Sequence, residues 1–521
     1  MIRAPLPRCE GLWKALAGPR RTRVVAAMIA LAGLAAFFGL RLLFWNYSLS
    51  RDEDFADFDA TIFQMGHLVA PVASEWRAYV DAFTKFSVLP VPGNAAWVSN
   101  YLPVNAAFRA LAGLAGDRML ANSLMAVVAL SLIYAIARKL WPERRDAAFV
   151  GVVVVALSPQ FLITAMTPFA MTAHLALNAL WLALFLRGGV AGHAGAAVVG
   201  FLATGLHQIV FHPLFAAPFI LLLLWQRRYA AALWYVAAYA VTGIFWIEYF
   251  QIALRVSGVA AGSAHEAGAP YLWTRIEELM DNFAGGGLRA MDRNLLRYIG
   301  WQHLLMAPLF VAGCAAIRRG PPVLLALAAG LVLAPAAMFV LTAYQGYGWG
   351  YRYMHGVMLN STLIAAWGWI SLTRDVRAPE TGRARAMFLL ASAISLFVLL
   401  PSRVLQARAF NEPFARASAA VRSADADIVL VDPIGYKMAF DLVRNDPFLR
   451  RRPVVLDVTF LTPELARDLC GRFSVVLFEA AQARAYGIPE HVSEPEAPPL
   501  AKAVRDELRR ISCAPPMPAP R

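Results

Sequence analysis

Apolar runs recur along nearly the whole chain, and most are close to the roughly 20 residues that a helix needs to cross about 30 Å of hydrocarbon. About eleven are legible: Val24 to Leu43, Met119 to Ala137, Ala147 to Ala165, Pro168 to Phe185, Ala194 to Ile209, Pro213 to Trp225, Ala230 to Leu254, Trp301 to Ile317, Pro321 to Leu341, Met354 to Leu372 and Met387 to Val404. The fifth and sixth are short, which leaves tilted, broken and re-entrant readings open. At 59% hydrophobic and 16% charged residues, with mean hydropathy +0.53, a chain of 521 residues is too apolar for a soluble enzyme. The expected fold class is an all-α polytopic membrane protein with a small C-terminal α/β domain.

Loops retained in the cytoplasm collect Lys and Arg. Here the amino terminus holds Arg3, Arg8, Lys14, Arg20, Arg21 and Arg23. Every second connection repeats the signal: Arg138, Lys139, Arg144 and Arg145; Arg187; Arg227 and Arg228; Arg318 and Arg319; Arg374, Arg377, Arg383 and Arg385. An inside amino terminus and an odd number of spans place residues 45–117, residues 255–300 and the tail on the outer side, the periplasm of a bacterial inner membrane. Much of the net charge of +14 is then topogenic, and no nucleic-acid signature accompanies it. Val24 to Leu43 is too long for a signal-peptide core and reads as a retained anchor. The expected domains are residues 1–23 inside, a transmembrane domain 24–405 with both outer loops, a small α/β domain 406–490 and a Pro/Ala-rich tail 491–521, disordered from Ala514 to Arg521. Cys9 falls inside and Cys314 in a span; Cys470 and Cys513 share the exported tail, where a disulfide is permitted.

The first outer loop opens with five carboxylates, Asp52, Glu53, Asp54, Asp57 and Asp59. Beside them Phe55, Phe58, Ile62 and Phe63 form an apolar stripe. Trp76, Tyr79, Val80 and Phe83 recur at i, i+3, i+4 and i+7, a pattern that predicts an amphipathic helix lying on the membrane. In the tail, Ile428 to Val431, Val454 to Leu456 and Val475 to Phe478 predict strands, alternating with helical stretches near Gly435 to Val443 and Pro463 to Leu469. Asp432 and Asp457 fall at strand ends, as ligand-binding residues or as N-caps of the helices after them. No Walker or dinucleotide glycine motif is present.

The order of these features resembles the GT-C membrane glycosyltransferases. A first span is followed by Arg51, Asp52 and Glu53, then amphipathic segments, then Tyr101, Leu102 and Pro103 before the second span, and Ala156, Leu157, Ser158 and Pro159 in the third. Within that class the chain looks most like the protein O-mannosyltransferase and lipid A aminoarabinose transferase branch. The resemblance covers roughly residues 20 to 405. It implies a polyprenyl-phosphate sugar donor, a glycan, lipid or protein acceptor, and a base in the first loop, which by position is Asp52 with Glu53 as supporting acid and Tyr101 nearby. The chemistry fits, because a carboxylate can take the proton of an acceptor hydroxyl in the transition state.

A second constellation is the run from Tyr344 to His355, which combines three glycines, several aromatics and Arg352. Trp349 and Tyr351 can stack on sugar faces, and Arg352 can hold a phosphate with its fork of donors. His174, His207, His212 and His355 fall near outer span ends, with His174 and His355 as candidate substrate contacts. Their spacing supports no metal site, so no cofactor is expected, a divalent metal being the exception to test. Relatives commonly carry an acid where this chain has Met171, Thr172, Ala173 and His174. Glu266, Glu277, Glu278, Asp281 and Asp292 are the acids available as substitutes. Two rival functions share the hydropathy: a lipid or polysaccharide transporter, and a ligase that moves a whole glycan without the Asp52 mechanism.

Overall fold

A computed structural model of the chain describes residues 6–84, 88–260, 286–342, 344–375, 377–436, 438–490 and 499–518. They fall into two compact units. One comprises Met1–Gly39, Leu102–Glu248 and His265–Gln406; the other comprises Leu40–Tyr101, Tyr249–Ala264 and Ala407–Arg521.

The first unit is a helical assembly. Among the described residues five helices are long and apolar enough to cross a membrane: Arg21–Leu43, Met119–Leu140, Tyr229–Val256, Val323–Leu341 and Ala378–Arg422. Arg145–Ala156 and Pro159–Ala165 make a sixth span if the pair is counted as one, bent by 60°. The other apolar runs hold shorter helices, among them Met171–Arg187, Gly189–Thr204, Phe211–Trp225 and Met306–Ala315, and Met358–Thr373. The bend has a local cause. Pro159 cannot donate a backbone hydrogen bond, so it opens a new helix at its first position, and the Ser158 hydroxyl accepts from the Phe161 N–H at 3.3 Å to cap it. Close packing has one too. A Cβ on Gly368 would strike the Leu309 carbonyl and one on Gly313 the Ile364 carbonyl, so these glycines let Met306–Ala315 and Met358–Thr373 approach backbone to backbone. Ala378–Arg422 does not stop at residue 405: it runs through a π-helical turn, Ser395–Leu399, to Arg422.

The second unit gathers three stretches of the chain. The outer loop up to Tyr101 folds with the tail, around a parallel sheet. Strands β1 (Ala70–Pro71) and β2 (Ala96–Trp97) pair antiparallel; β3 (Ile428–Val431), β4 (Val454–Asp457) and β5 (Val475–Phe478) form the parallel sheet in the order β4-β3-β5. Ile428 pairs with Val454 on one side and with Val475 on the other. Between β3 and β4 the expected helix is reduced to a 3-10 turn, Ala439–Leu442; after β4 comes the helix Pro463–Arg472.

The stripe Trp76, Tyr79, Val80 and Phe83, expected to face a membrane, is covered by protein. Ser74–Tyr79 and Val80–Thr84 form a 3-10 helix and a short α-helix whose apolar side packs in one core with Phe55, Phe58 and Ile62 and with Leu430, Leu456 and Val475 of the sheet. Trp76 stacks on Phe473 at 5.6 Å. An apolar face needs a cover, and protein serves as well as lipid. The tail is likewise more structured than its composition suggests. Helix Pro499–Ile511 buries Ala501, Val504 and Leu508, and Cys470 is bonded to Cys513. The Leu477 N–H donates to the Pro515 carbonyl at 2.9 Å and the Met517 N–H to the Leu477 carbonyl at 2.8 Å, so this stretch pairs along β5.

Candidate functional site

The proposed acids sit at the start of the helix Arg51–Gln64 in the second unit. Ser50 is its N-cap, and Glu53 Oε2 accepts from the Ser50 backbone N–H at 2.8 Å and from its hydroxyl at 3.2 Å, in a capping-box arrangement. Asp52, Glu53 and Asp54 occupy the first turn, where negative charge complements the helix dipole. Glu53 is buried in this structural role. Asp52 is half-buried and turned to Tyr101, whose hydroxyl donates to Asp52 Oδ1. The structure therefore brings together three of the residues singled out in the sequence, Asp52, Glu53 and Tyr101.

Around them lies a set of groups that sequence reasoning missed. Arg51 Nε is 3.4 Å from Asp441 Oδ1, and Arg51 Nη2 donates to the Phe440 carbonyl at 2.7 Å. Arg444 lies 3.7 Å from Asp54, donates to the Asp441 carbonyl at 2.7 Å and places its guanidinium 4.1 Å from the centre of the Tyr47 ring. The partners come from opposite ends of the chain, and no spacing in the sequence announces them. Burial raises the carboxyl of Asp54, opposed by the Arg444 charge. Burial pushes Asp59 up to about 7, against a hydrogen bond from Ser99. Asp59 is directed into the core, away from any role the acid cluster suggested for it.

In the first unit the run from Tyr344 to His355 is held by a buried polar lattice. Gln160 donates to the Tyr351 carbonyl at 2.9 Å and accepts from the Tyr351 N–H at 3.2 Å. Gln302 donates to Gln160 at 3.1 Å and accepts from Ser158 at 2.9 Å. Gln345 closes the loop, donating to the Gly350 carbonyl at 2.9 Å and accepting from the Arg352 N–H at 3.1 Å. Gly350 has φ +70 and its Cβ position is filled by Gln160; a Cβ on Gly348 would come within 2.9 Å of Arg352 Cδ. The Arg352 guanidinium is buried over the rings of Phe169 at 5.1 Å and Tyr353 at 5.0 Å, and Nη2 donates to the Tyr353 hydroxyl at 3.2 Å. Trp349 stacks on Trp301 at 6.1 Å, and the Tyr351 hydroxyl meets Met291 Sδ at 3.6 Å. Arg352, Trp349, Tyr351, His174 and His355 are all buried in this unit.

No family model matches the sequence, and no curated protein matches it. Among solved structures, that of ArnT from Cupriavidus metallidurans in the apo state aligns over 89% of this chain and 94% of that one, at 13% identity and a TM-score of 0.53. The chain has the fold of ArnT. A second ArnT structure from the same organism, bound to undecaprenyl phosphate, aligns over 89% of this chain and 88% of that one, at 13% identity and a TM-score of 0.49. The mostly helical architecture expected from the sequence agrees with the fold shared with the apo ArnT structure.

On this ArnT fold the histidines separate by environment. His212 is satisfied, bonded to Asn178 at 2.7 Å and to the Tyr239 hydroxyl at 2.7 Å. Both ring nitrogens of His174 and of His355 are buried with no hydrogen-bond partner among the described residues. His174, Asn178, Phe211 and Tyr353 line a cavity of about 20 Å³, room for about one water. Among the described residues no group of three or more His, Cys, Asp or Glu side chains is arranged to hold a metal. Glu266, Glu277, Glu278 and Asp281 lie outside the described residues, and Asp292 is exposed. Asp457 is a cap, accepting from the Thr459 N–H at 2.9 Å and its hydroxyl at 2.6 Å. Asp432 accepts from the Ile434 N–H at 3.2 Å and pairs with Arg505 at 2.5 Å.

Proposed function

We propose that the chain is a membrane glycosyltransferase that moves a sugar from a polyprenyl-phosphate donor to an acceptor hydroxyl on the periplasmic face of a bacterial inner membrane. Asp52 takes the acceptor proton as the new bond from oxygen to the sugar's anomeric carbon forms and the bond to the phosphate breaks. Tyr101 positions Asp52, and Glu53 fixes the helix start that presents it. The electron pair of the broken bond goes to the lipid phosphate, and Arg352 neutralises that charge. Trp349 and Tyr351 shape the donor side, with His174 and His355 as further polar contacts. A divalent metal has no assigned role.

The contact of Tyr101 with Asp52, on a fold shared with ArnT, is the observation that carries this reading. The test is mass spectrometry of envelope glycans, lipids and glycoproteins from a deletion strain rescued with wild type or Asp52→Asn at matched membrane levels. One sugar should vanish in the deletion and return with wild type. With Asp52→Asn the transfer rate should fall by about 10² to 10⁴. Full rescue by Asp52→Asn would remove Asp52 as the base and favour a transporter or a different acid.

A further inference from the structure

The helix Gly287–Gly300 divides into three sectors around its circumference, at the roughly 100° per residue of an α-helix. Gly287, Met291 and Asn294 are buried on the inner sector with half-buried Tyr298, whose hydroxyl hydrogen-bonds that of Ser361 at 2.7 Å. The next sector is mostly apolar yet exposed: Leu288, Leu295, Leu296 and Ile299 are 61%, 38%, 60% and 55% accessible, with the exposed Asp292 among them. The third holds Arg289, Arg293 and Arg297, four residues apart and therefore in one row. All three arginines are exposed, and none makes an ion pair with a described residue. Asp292 is the acidic residue of this helix, so the row and its surroundings keep a net positive charge.

Exposed aliphatic side chains beside a row of arginines match the two halves of one molecule. Acyl chains cover Leu and Ile, and a guanidinium fork grips phosphate oxygens. A soluble acidic protein would satisfy the arginines but not the leucines. We propose that this helix lies in the headgroup layer and binds the phosphate of an anionic phospholipid through Arg289, Arg293 and Arg297. The same helix holds Tyr351 through Met291 on its inner side, so a bound lipid braces the segment that carries Arg352. The binding itself stands without the transferase reading, since it requires only a membrane.

The test uses full-length protein in detergent, with added phosphatidylglycerol or phosphatidylcholine and bound lipid counted by native mass spectrometry. Wild type should prefer phosphatidylglycerol, and the preference should fall about fivefold for each arginine removed in Arg289→Gln, Arg293→Gln and Arg297→Gln. The pair Arg484→Gln and Arg509→Gln, exposed in the other unit, should leave it unchanged. Leu288→Ser with Leu296→Ser should weaken both lipids alike. Unchanged preference in the triple variant overturns the proposal, as does loss of the preference in the control pair. If inorganic phosphate displaces phosphatidylglycerol completely, the row is a free-phosphate site and the lipid assignment fails. Should the triple variant fail to fold, Arg293→Gln alone is read against the same fivefold expectation.

Discussion

Arg51 lies 3.4 Å from Asp441, with both side chains buried, so the residue before the proposed base is tied to the tail by an ion pair. Burial raises the Asp441 carboxyl, and the charges of Arg51 and Arg444 oppose that rise. Asp441→Ala would leave Arg51 buried without this partner, at a cost of about 3 to 5 kcal/mol. Thermal unfolding of the full chain should show that loss. Arg51→Met with Asp441→Leu should recover most of it, because the desolvation of two charges disappears along with their attraction.

Asp59 gives a pH signature. Its folded value of about 7 lies above the value near 3.9 of an unfolded aspartate, so the folded state prefers the protonated form. Its contribution to stability is fully present below about pH 3.9 and is lost as pH rises to about 7, by about 4 kcal/mol in the limit. Asp59→Asn should therefore raise the unfolding temperature at pH 8 and leave it nearly unchanged at pH 4. A gain of equal size at both pH values would contradict this assignment.

Gly350→Ala tests the lattice around Arg352. The alanine Cβ would collide with Gln160 and the backbone would be held at φ +70, so the two bonds between Gln160 and Tyr351 must yield. A loss of more than about 1 kcal/mol is expected from strain at this φ. In a transfer assay the apparent affinity for the lipid-linked donor should weaken, whereas Gly66→Ala, with φ +80 but open space at its Cβ, should not alter it.

Cys470→Ser with Cys513→Ser opens a loop spanning 43 positions, worth about 4 kcal/mol in the chain-entropy account. Limited proteolysis should then release the C-terminal helix. Reductant should reproduce the effect in wild type and add nothing to the double variant.

How much of the fold and site is legible in the sequence depends on how local each signal is. Apolar length marks a helix without reference to anything else, so the runs can be read directly, and Ser158 before Pro159 stands where the third of them breaks. Trp76 and Phe83 show the limit: periodicity identifies an apolar face but not its cover, which is a sheet far along the chain at Leu430, Leu456 and Val475. Ala514 and Pro515 mislead for the opposite reason. A Pro/Ala-rich stretch cannot build a core, yet it can pair along one already built. Asp52 and Tyr101 can be named from the order of motifs, but the clamp of Arg444, Tyr47 and Asp441 is a product of folding alone.

The stretch Pro515–Met517 has a consequence for aggregation. It occupies the flank of β5 that does not face β3, and a chain ending before Pro515 would leave the Leu477 N–H and carbonyl open on a hydrophobic strand. Such a rim is a template for pairing with another chain. Pro515–Met517 thus act as a built-in stopper against edge-to-edge association, and displacing them exposes that rim before it touches chemistry.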